Sequence, residues 1–231
     1  MKAEYSDYLA KKTTADYNKI AAAFSISRSY LPSDIKELGS YARAGDRILD
    51  FGCGNGVLTE ILDSSVEYIG VDSSVELIKH AQDRNPGVEF LTIQEGIIPF
   101  PNNHFDIIFS LAVFHHIPGE RMRLKMLSEL KRVLKPGGKI IMTVWSLRHD
   151  KQIWQQLLRS KLRNMKLDWG DLLVPFKDKG GNVVAERYIH AFSQKELGDL
   201  AAKSGFEIEK SAIIARGKKK YNENILIVLK K

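Results

Sequence analysis

The stretch Ile48-Leu49-Asp50-Phe51-Gly52-Cys53-Gly54-Asn55-Gly56 decides the fold. An apolar run ends on an acid, and glycines then recur at every second position. The chain must leave a buried strand, turn tightly and open a helix at Val57. Glycine tolerates φ > 0 and leaves bare backbone to face a ligand. About twenty residues on, Tyr68-Ile69-Gly70-Val71-Asp72 is a second apolar strand ending in an acid, the position that takes ribose hydroxyls in nucleotide-binding α/β sheets.

Working outward, strands and helices alternate. Strands are expected at 47–51, 67–71, 88–92, 105–110, 138–145, 206–214 and 222–229. Helices are expected at 57–63, 74–84, 120–134 and 194–204. Ser73 or Ser74 caps the helix after Asp72, and Pro136-Gly137-Gly138 makes the turn into the fifth strand. Such a series implies an α/β fold with a parallel sheet and helices on both faces. The last two strands lie too close in sequence for a crossover, so they pair antiparallel. Residues 1–44 form a helical region, broken near Leu31-Pro32-Ser33-Asp34, where Ser33 or Asp34 can cap a second helix. Residues 150–190 interrupt the alternation with helical and loop segments, and the whole chain, 1–231, reads as one domain.

Composition bounds the class. Apolar residues are 44% and charged residues 27%, which match a soluble globular protein. There is no apolar run of spanning length and no signal-peptide h-region, so cytoplasm is the expected compartment and no membrane is expected. The single cysteine, Cys53, excludes an internal disulfide and reads as a small filler in the glycine loop. No metal site is expected, because His115 and His116 lack further ligands at suitable spacing. The net charge of +7 is compatible with an anionic partner such as RNA. It concentrates at Arg159, Lys161, Arg163 and Lys166, and again at Arg216, Lys218, Lys219 and Lys220. Trp154 and Trp169 read first as core anchors, with base stacking as the alternative.

The glycine spacing argues against a pyrophosphate ligand. A dinucleotide loop is G-x-G-x-x-G, and a P-loop carries a lysine. Here the pattern is Asp50-x-Gly52-x-Gly54-x-Gly56, and an acid beside the loop suits a ligand with a ribose and a positive centre. This resembles the S-adenosylmethionine (SAM) pocket of class I methyltransferases, and the run from Ala44 to His149 resembles that family throughout. The fold implied is Rossmann-like, a mostly parallel seven-stranded sheet with an antiparallel last strand. The resemblance implies SAM as cofactor, held by Asp50, Gly52, Cys53, Gly54, Asp72 and Ser73. After the third strand it implies an adenine contact at Gln94, where the family carries an acid, with Glu95 and Gly96 adjacent. After the fourth strand it places the donor methyl near Ser110, Leu111, Val113 and His115. Two adjacent histidines on extended backbone point oppositely, so one of His115 and His116 should face the site and the other pack.

Three further segments resemble one branch, the tRNA wobble-uridine carboxymethyl methyltransferases, which include the fungal enzyme and the methyltransferase domain of the animal AlkB-homologue fusion. They are Tyr17–Ala21 with Phe24–Arg28, Gly170–Phe176, and Glu186–Phe192, and Val144-Trp145-Ser146-Leu147 also fits. The chain departs from that branch at Phe176, commonly Trp, and at Ile189, commonly Tyr. This resemblance implies methyl transfer to the carboxymethyl group at C5 of the wobble uridine. It gives acceptor-side roles to His116, Arg187, Tyr188 and His190: Arg187 forking onto a carboxylate or phosphate, Tyr188 stacking on the uracil, and the histidines donating. Tyr17 would close over the cofactor and Arg28 pair with its carboxylate. Implied partners are a tRNA anticodon stem-loop and, as in family members, a small zinc-binding activator subunit. Two alternatives stay open: a methyltransferase for quinone- or lipid-type small molecules, and a non-catalytic SAM- or RNA-binding subunit.

Overall fold

The structure is a computed structural model that describes residues 1–28, 30–31, 33–94, 96–146, 151–178, 180–215 and 223–231. Glu95, Leu147 and the Arg216–Lys220 cluster therefore lie outside the described residues.

Helix α1 (Ala3–Ser27) and the short α2 (Ser33–Lys36) precede the sheet. Strands β1 (Arg47–Phe51), β2 (Glu67–Asp72), β3 (Glu89–Thr92), β4 (Phe105–Leu111) and β5 (Leu134–Trp145) follow, with α3 (Val75–Arg84) between β2 and β3 and α4 (Glu120–Val133) between β4 and β5. The insertion holds α5 (Lys151–Arg163), β6 (Asp171–Lys177) and β7 (Val183–His190). Helix α6 (Gln194–Lys203), β8 (Glu207–Ala215) and β9 (Glu223–Lys230) close the chain.

The seven-stranded sheet has the order β3-β2-β1-β4-β5-β9-β8. The first five strands pair parallel, and β9 is antiparallel to both β5 and β8. Strand order reverses between β1 and β4, and such a switch point opens a crevice at the strands' carboxyl ends. The sheet is buried on both faces because alternate residues serve two cores. Leu49, Ile108 and Met142 pack under α4 and α6, while Ile48, Phe109 and Ile141 pack on the other face with Leu38 and Leu58. Ser74 caps α3 by accepting from the Leu77 amide at 3.2 Å, an arrangement that contributes about 1 kcal/mol.

Four expectations need correction. The helix expected at 57–63 is a 3-10 turn, Val57–Ile61, whose N-terminal flank Gly56 is left-handed and gives it no side-chain cap. The insertion is not helix and loop alone. Leu172 faces Ile189 and Leu173 faces Tyr188 in a two-stranded antiparallel sheet, closed by the Asp178 amide donating to the Asn182 carbonyl at 3.0 Å. Trp154 and Trp169 are not core anchors. They are 46% and 62% exposed, with ring centroids 5.8 Å apart. The Pro136–Gly138 punctuation falls inside β5 as an irregularity, where pairing jumps from Phe105↔Leu134 to Ile107↔Lys139.

Candidate active site

A cavity of about 710 Å³ lies at the carboxyl ends of β1, β2, β4 and β5, within the usual size range of small-molecule sites. Its first wall is the glycine loop. The amides of Gly52 and Cys53 both donate to the Val71 carbonyl, at 2.7 and 3.0 Å, which folds the loop back over β2. The Gly54 amide donates to Asp72 Oδ2 at 3.0 Å, and the Ser74 amide to Asp72 Oδ1 at 2.8 Å. The glycines differ in purpose. A Cβ on Gly52 would meet Val113 at 2.4 Å, whereas one on Gly54 would meet only Phe24, at 3.9 Å. Gly52 is packed tight; Gly54 is the point where bare backbone borders open space.

Burial raises the Asp72 carboxyl, and the amides of Ser74, Gly54 and Ser73 oppose that rise. Asp50 sits behind the loop, 4% exposed and off the cavity wall, and accepts from the Tyr68 hydroxyl at 2.7 Å. Burial pushes it up, the Tyr68 hydrogen bond opposes, and the neighbouring Asp72 charge adds, leaving it at about 7. Burial also pushes the Cys53 thiol well up, reinforced by Asp50 and Asp72, so Cys53 lines the cavity as a neutral thiol.

Helix α1 forms the roof. Asp7, Lys11, Thr14, Tyr17, Phe24 and Arg28 face the cavity at three-, four- and seven-residue spacings, one side of a helix. The helix is tied down along its length. Thr14 donates to Ser73 Oγ at 3.1 Å, Ser74 Oγ donates to Asn18 Oδ1 at 2.7 Å, and Asn55 Nδ2 donates to the Arg28 carbonyl at 3.1 Å. At the far side the Lys12 ammonium donates to the Glu186 carbonyl at 2.8 Å.

The third wall is the end of β4. Ala112 has φ 60, and its amide donates to the Thr143 carbonyl and Oγ1, both at 3.0 Å. The chain then forms a 3-10 turn, Phe114–His116, rather than extended backbone. Both His115 and His116 therefore reach the cavity, contrary to the expectation that one would turn away. His115 is buried and its Nδ1 accepts from the Trp145 amide at 3.4 Å. His116 Nε2 lies 2.8 Å from the Tyr17 hydroxyl, and its Nδ1 lies 2.8 Å from the Tyr188 carbonyl.

Strand β7 makes the fourth wall, and its period of two sorts the expected residues. Arg187 and Ile189 face the cavity. Tyr188 and His190 face the opposite way and are 2% exposed. The Tyr188 hydroxyl donates to Asp171 Oδ1 at 2.6 Å and accepts from Arg123 Nη2 at 3.0 Å. His190 faces Asp171 Oδ1 at 2.7 Å through Nδ1 and Glu196 Oε1 at 2.8 Å through Nε2. Burial alone would raise Glu196, but His190 and then Arg123 outweigh it and hold the carboxyl below its ordinary range. Tyr188 and His190 thus join a buried ionic network behind the cavity, and neither can stack on or donate to a ligand inside it.

Of the remaining expected residues, Ser73, Gly96, Leu111 and Val113 are on the wall, whereas Gln94 and the fully buried Ser110 are not. Residues to which the sequence assigned no site role also line it, among them Asn55, Thr143, Trp145 and Asn224. Trp145 and Asn224 are opposite each other in the β5–β9 ladder, a long-range pairing with no local signal.

A methyltransferase-domain family model matches residues 24–211. The chain belongs to the class I SAM-dependent methyltransferases. A relative within this group is the tRNA (carboxymethyluridine(34)-5-O)-methyltransferase of Schizosaccharomyces pombe, 31% identical over 219 residues, covering 83% of this chain and 87% of that protein. The Arabidopsis thaliana protein of the same description is 37% identical over 134 residues, which cover 58% of this methyltransferase and 32% of the plant protein. Among solved structures, a SAM-dependent methyltransferase from Methanosarcina mazei superposes with a TM-score of 0.73 at 26% identity, over 84% of this chain and 96% of that one. A Haloferax volcanii methyltransferase solved with the Trm112 methyltransferase activator shares the fold, with a TM-score of 0.66 at 15% identity over 94% of this chain and 96% of that one. No helix among the described residues of this methyltransferase is long and apolar enough to cross a membrane.

Proposed function

We propose that this methyltransferase esterifies the carboxymethyl group at C5 of a tRNA wobble uridine. The observation that carries the reading is Arg187. Arg187 lines the cavity with its guanidinium 5.5 Å over the Phe176 ring, and although it also hydrogen-bonds Tyr17, its Nε is buried with no hydrogen-bond partner among the described residues. An unpaired donor on a cation fits a carboxylate ligand, which a guanidinium can grip in a fork. The fission-yeast relative, named for the same reaction, spans nearly the whole chain and supports that choice of acceptor.

The residues fit SAM in the other half of the cavity. Asp72 can take the ribose hydroxyls, since each of its oxygens has a lone pair beyond those used by Gly54 and Ser74. The bare backbone at Gly54 can lie against the ligand, and Arg28 on the roof can face its carboxylate. Bound SAM would supply a methyl on a sulfonium, whose sulfur would leave as a neutral thioether as a carboxylate oxygen bonds the methyl carbon. An acceptor carboxylate is already ionised at pH 7, so the chain needs no general base. Its residues have to position and to exclude water. Helix α1 covers the cavity, the Ala112–His116 turn fixes the floor, and Arg187 orients the acid.

The basic segment Arg159, Lys161, Arg163 and Lys166, with the exposed Trp154–Trp169 pair beside it, would meet the anticodon stem-loop. A small activator subunit, such as the one the Haloferax methyltransferase was solved with, is a further partner under this reading.

The test is incubation with labelled SAM and either carboxymethyluridine-containing or unmodified tRNA. Label that enters only the modified tRNA and is released by mild alkali marks a methyl ester. SAM binding without transfer, with and without an activator, would overturn the reading in favour of another acceptor.

A further inference from the structure

The cavity wall holds a second unpaired polar atom. Asn224, the second residue of β9, is 4% exposed and lines the cavity, and its Oδ1 is buried with no hydrogen-bond partner among the described residues. Leaving a buried amide oxygen unpaired is costly, so its position on a ligand cavity asks for a donor on the ligand. Asn224 is on β9, three strands along the sheet from the β1 glycine loop. It pairs with Trp145 in the sheet, and Trp145 packs against the cluster that includes Ile189, two residues beyond Arg187 on the same face of β7. The cavity therefore offers an unpaired acceptor, Asn224 Oδ1, and an unpaired donor, Arg187 Nε, with Trp145 and Ile189 also on its lining.

We infer that Asn224 reads the pyrimidine edge of the acceptor base, its Oδ1 accepting the uracil N3–H and its Nδ2 donating to O4, while Arg187 takes the carboxymethyl group. This rests on carboxymethyluridine being the acceptor. O4 is on C4, the ring atom next to C5, and N3–H is one atom further round, so an amide lining the same cavity as the carboxylate clamp can meet both. An amide offers the matching acceptor and donors, and unpaired bases in RNA loops are commonly read on this edge. Trp145 and Ile189 supply apolar surface on the same lining.

The experiment compares two anticodon stem-loop RNAs, one with carboxymethyluridine at the wobble position and one with the same nucleoside methylated at N3. The full chain is assayed as wild type, Asn224→Ala and Asn224→Asp, with SAM affinity measured in parallel. The wild type should prefer the N3–H acceptor by roughly 10-fold or more in kcat/KM. Asn224→Ala should lose that preference, through the N3–H acceptor falling to the level of the methylated one, with SAM affinity unchanged. Asn224→Asp has the same shape and carries the test if the alanine variant does not fold; losing the amide donor, it should lower kcat/KM on the N3–H acceptor. Retention of wild-type kcat/KM and preference by a folded variant would overturn the inference. If the wild type methylates neither RNA, the acceptor assignment itself fails and the inference falls with it. Transfer by the wild type with no effect of substitution at Asn224 overturns only the latter.

Discussion

The Tyr17 hydroxyl and His116 Nε2 meet at 2.8 Å, joining α1 to the turn after β4 across the cavity. The Tyr188 carbonyl can only accept, so His116 Nδ1 donates to it. In the neutral ring Nε2 then accepts, and the Tyr17 hydroxyl is the donor. Burial raises the Tyr17 hydroxyl above its ordinary value, although the charge and hydrogen bonding of Arg187 oppose the rise. The pair is a clasp on the roof of the cavity rather than an acid–base couple. Tyr17→Phe keeps the edge-on packing against Phe24, at 5.3 Å, and loses the clasp together with the hydrogen bond to Arg187. The expected results are about 1 kcal/mol less stability and several-fold faster SAM release. Stopped-flow release from the two proteins checks it, and equal rates would sink the idea.

Gly52→Ala and Gly54→Ala should fail differently. Both positions have positive φ, 77 and 56, which costs an alanine about 1–2 kcal/mol. At Gly52 the added carbon also strikes Val113, so folding suffers most. At Gly54 it enters open cavity, so the melting temperature should fall modestly while SAM affinity drops about 10-fold or more. Melting curves and titration calorimetry on both variants separate the outcomes; equal losses of affinity at equal stability would contradict the assignment.

Arg187→Lys keeps the charge and loses the fork. Removing a charged hydrogen bond of this kind costs about 1.5–3 kcal/mol, so kcat/KM for modified tRNA should fall about 10- to 150-fold. SAM affinity should hold, because Arg187 belongs to the acceptor half. A parallel fall in SAM affinity would place it in the cofactor site instead.

Asp50 makes the folded state sensitive to pH. Its carboxyl titrates at about 7 when folded, against a reference of 3.8. Between those values the folded chain binds the extra proton, so this group's contribution to stability falls as pH rises and levels off above 7. Asp50→Asn removes the ionisation and leaves an oxygen for Tyr68. Its advantage over wild type should be absent below pH 4, grow towards 7 and then plateau, on the order of 2–4 kcal/mol. Denaturant unfolding across that range measures it, and a constant difference at every pH would rule Asp50 out.

Arg123→Met tests the network behind β7. Arg123 is 2% exposed and sits 3.7 Å from Asp171 and 3.6 Å from Glu196. Breaking a buried ionic group on one side commonly costs about 3–5 kcal/mol, because the partner stays buried and uncompensated. The loss should appear in unfolding midpoints, with SAM affinity retained by the protein that remains folded. An unchanged midpoint would show that Asp171 finds its compensation elsewhere.

Near-neighbour features were the readable ones. The glycine loop, the acid ending β2 and the alternation of strands and helices each depend on a few consecutive residues. They located the switch point and one wall of the cavity. Both histidines reach the cavity because a 3-10 turn replaces extended backbone there. Tyr188 and His190 point away from Arg187 because the insertion is a hairpin, whose period of two no local pattern in the sequence announces.

By itself, then, the sequence determined the doubly wound sheet and the cofactor loop, since backbone sterics at glycine and hydrophobic periodicity act locally, while the type of cofactor came from the resemblance to class I methyltransferases. Tertiary structure alone decided that Asp50 is buried behind the loop, that Asn224 is on the wall beside Trp145, and which polar atoms have no partner among the described residues. Those properties arise from pairings between separate strands, Asp50 with Tyr68 eighteen residues on and Trp145 with Asn224 seventy-nine residues on, and from the loss of water around them.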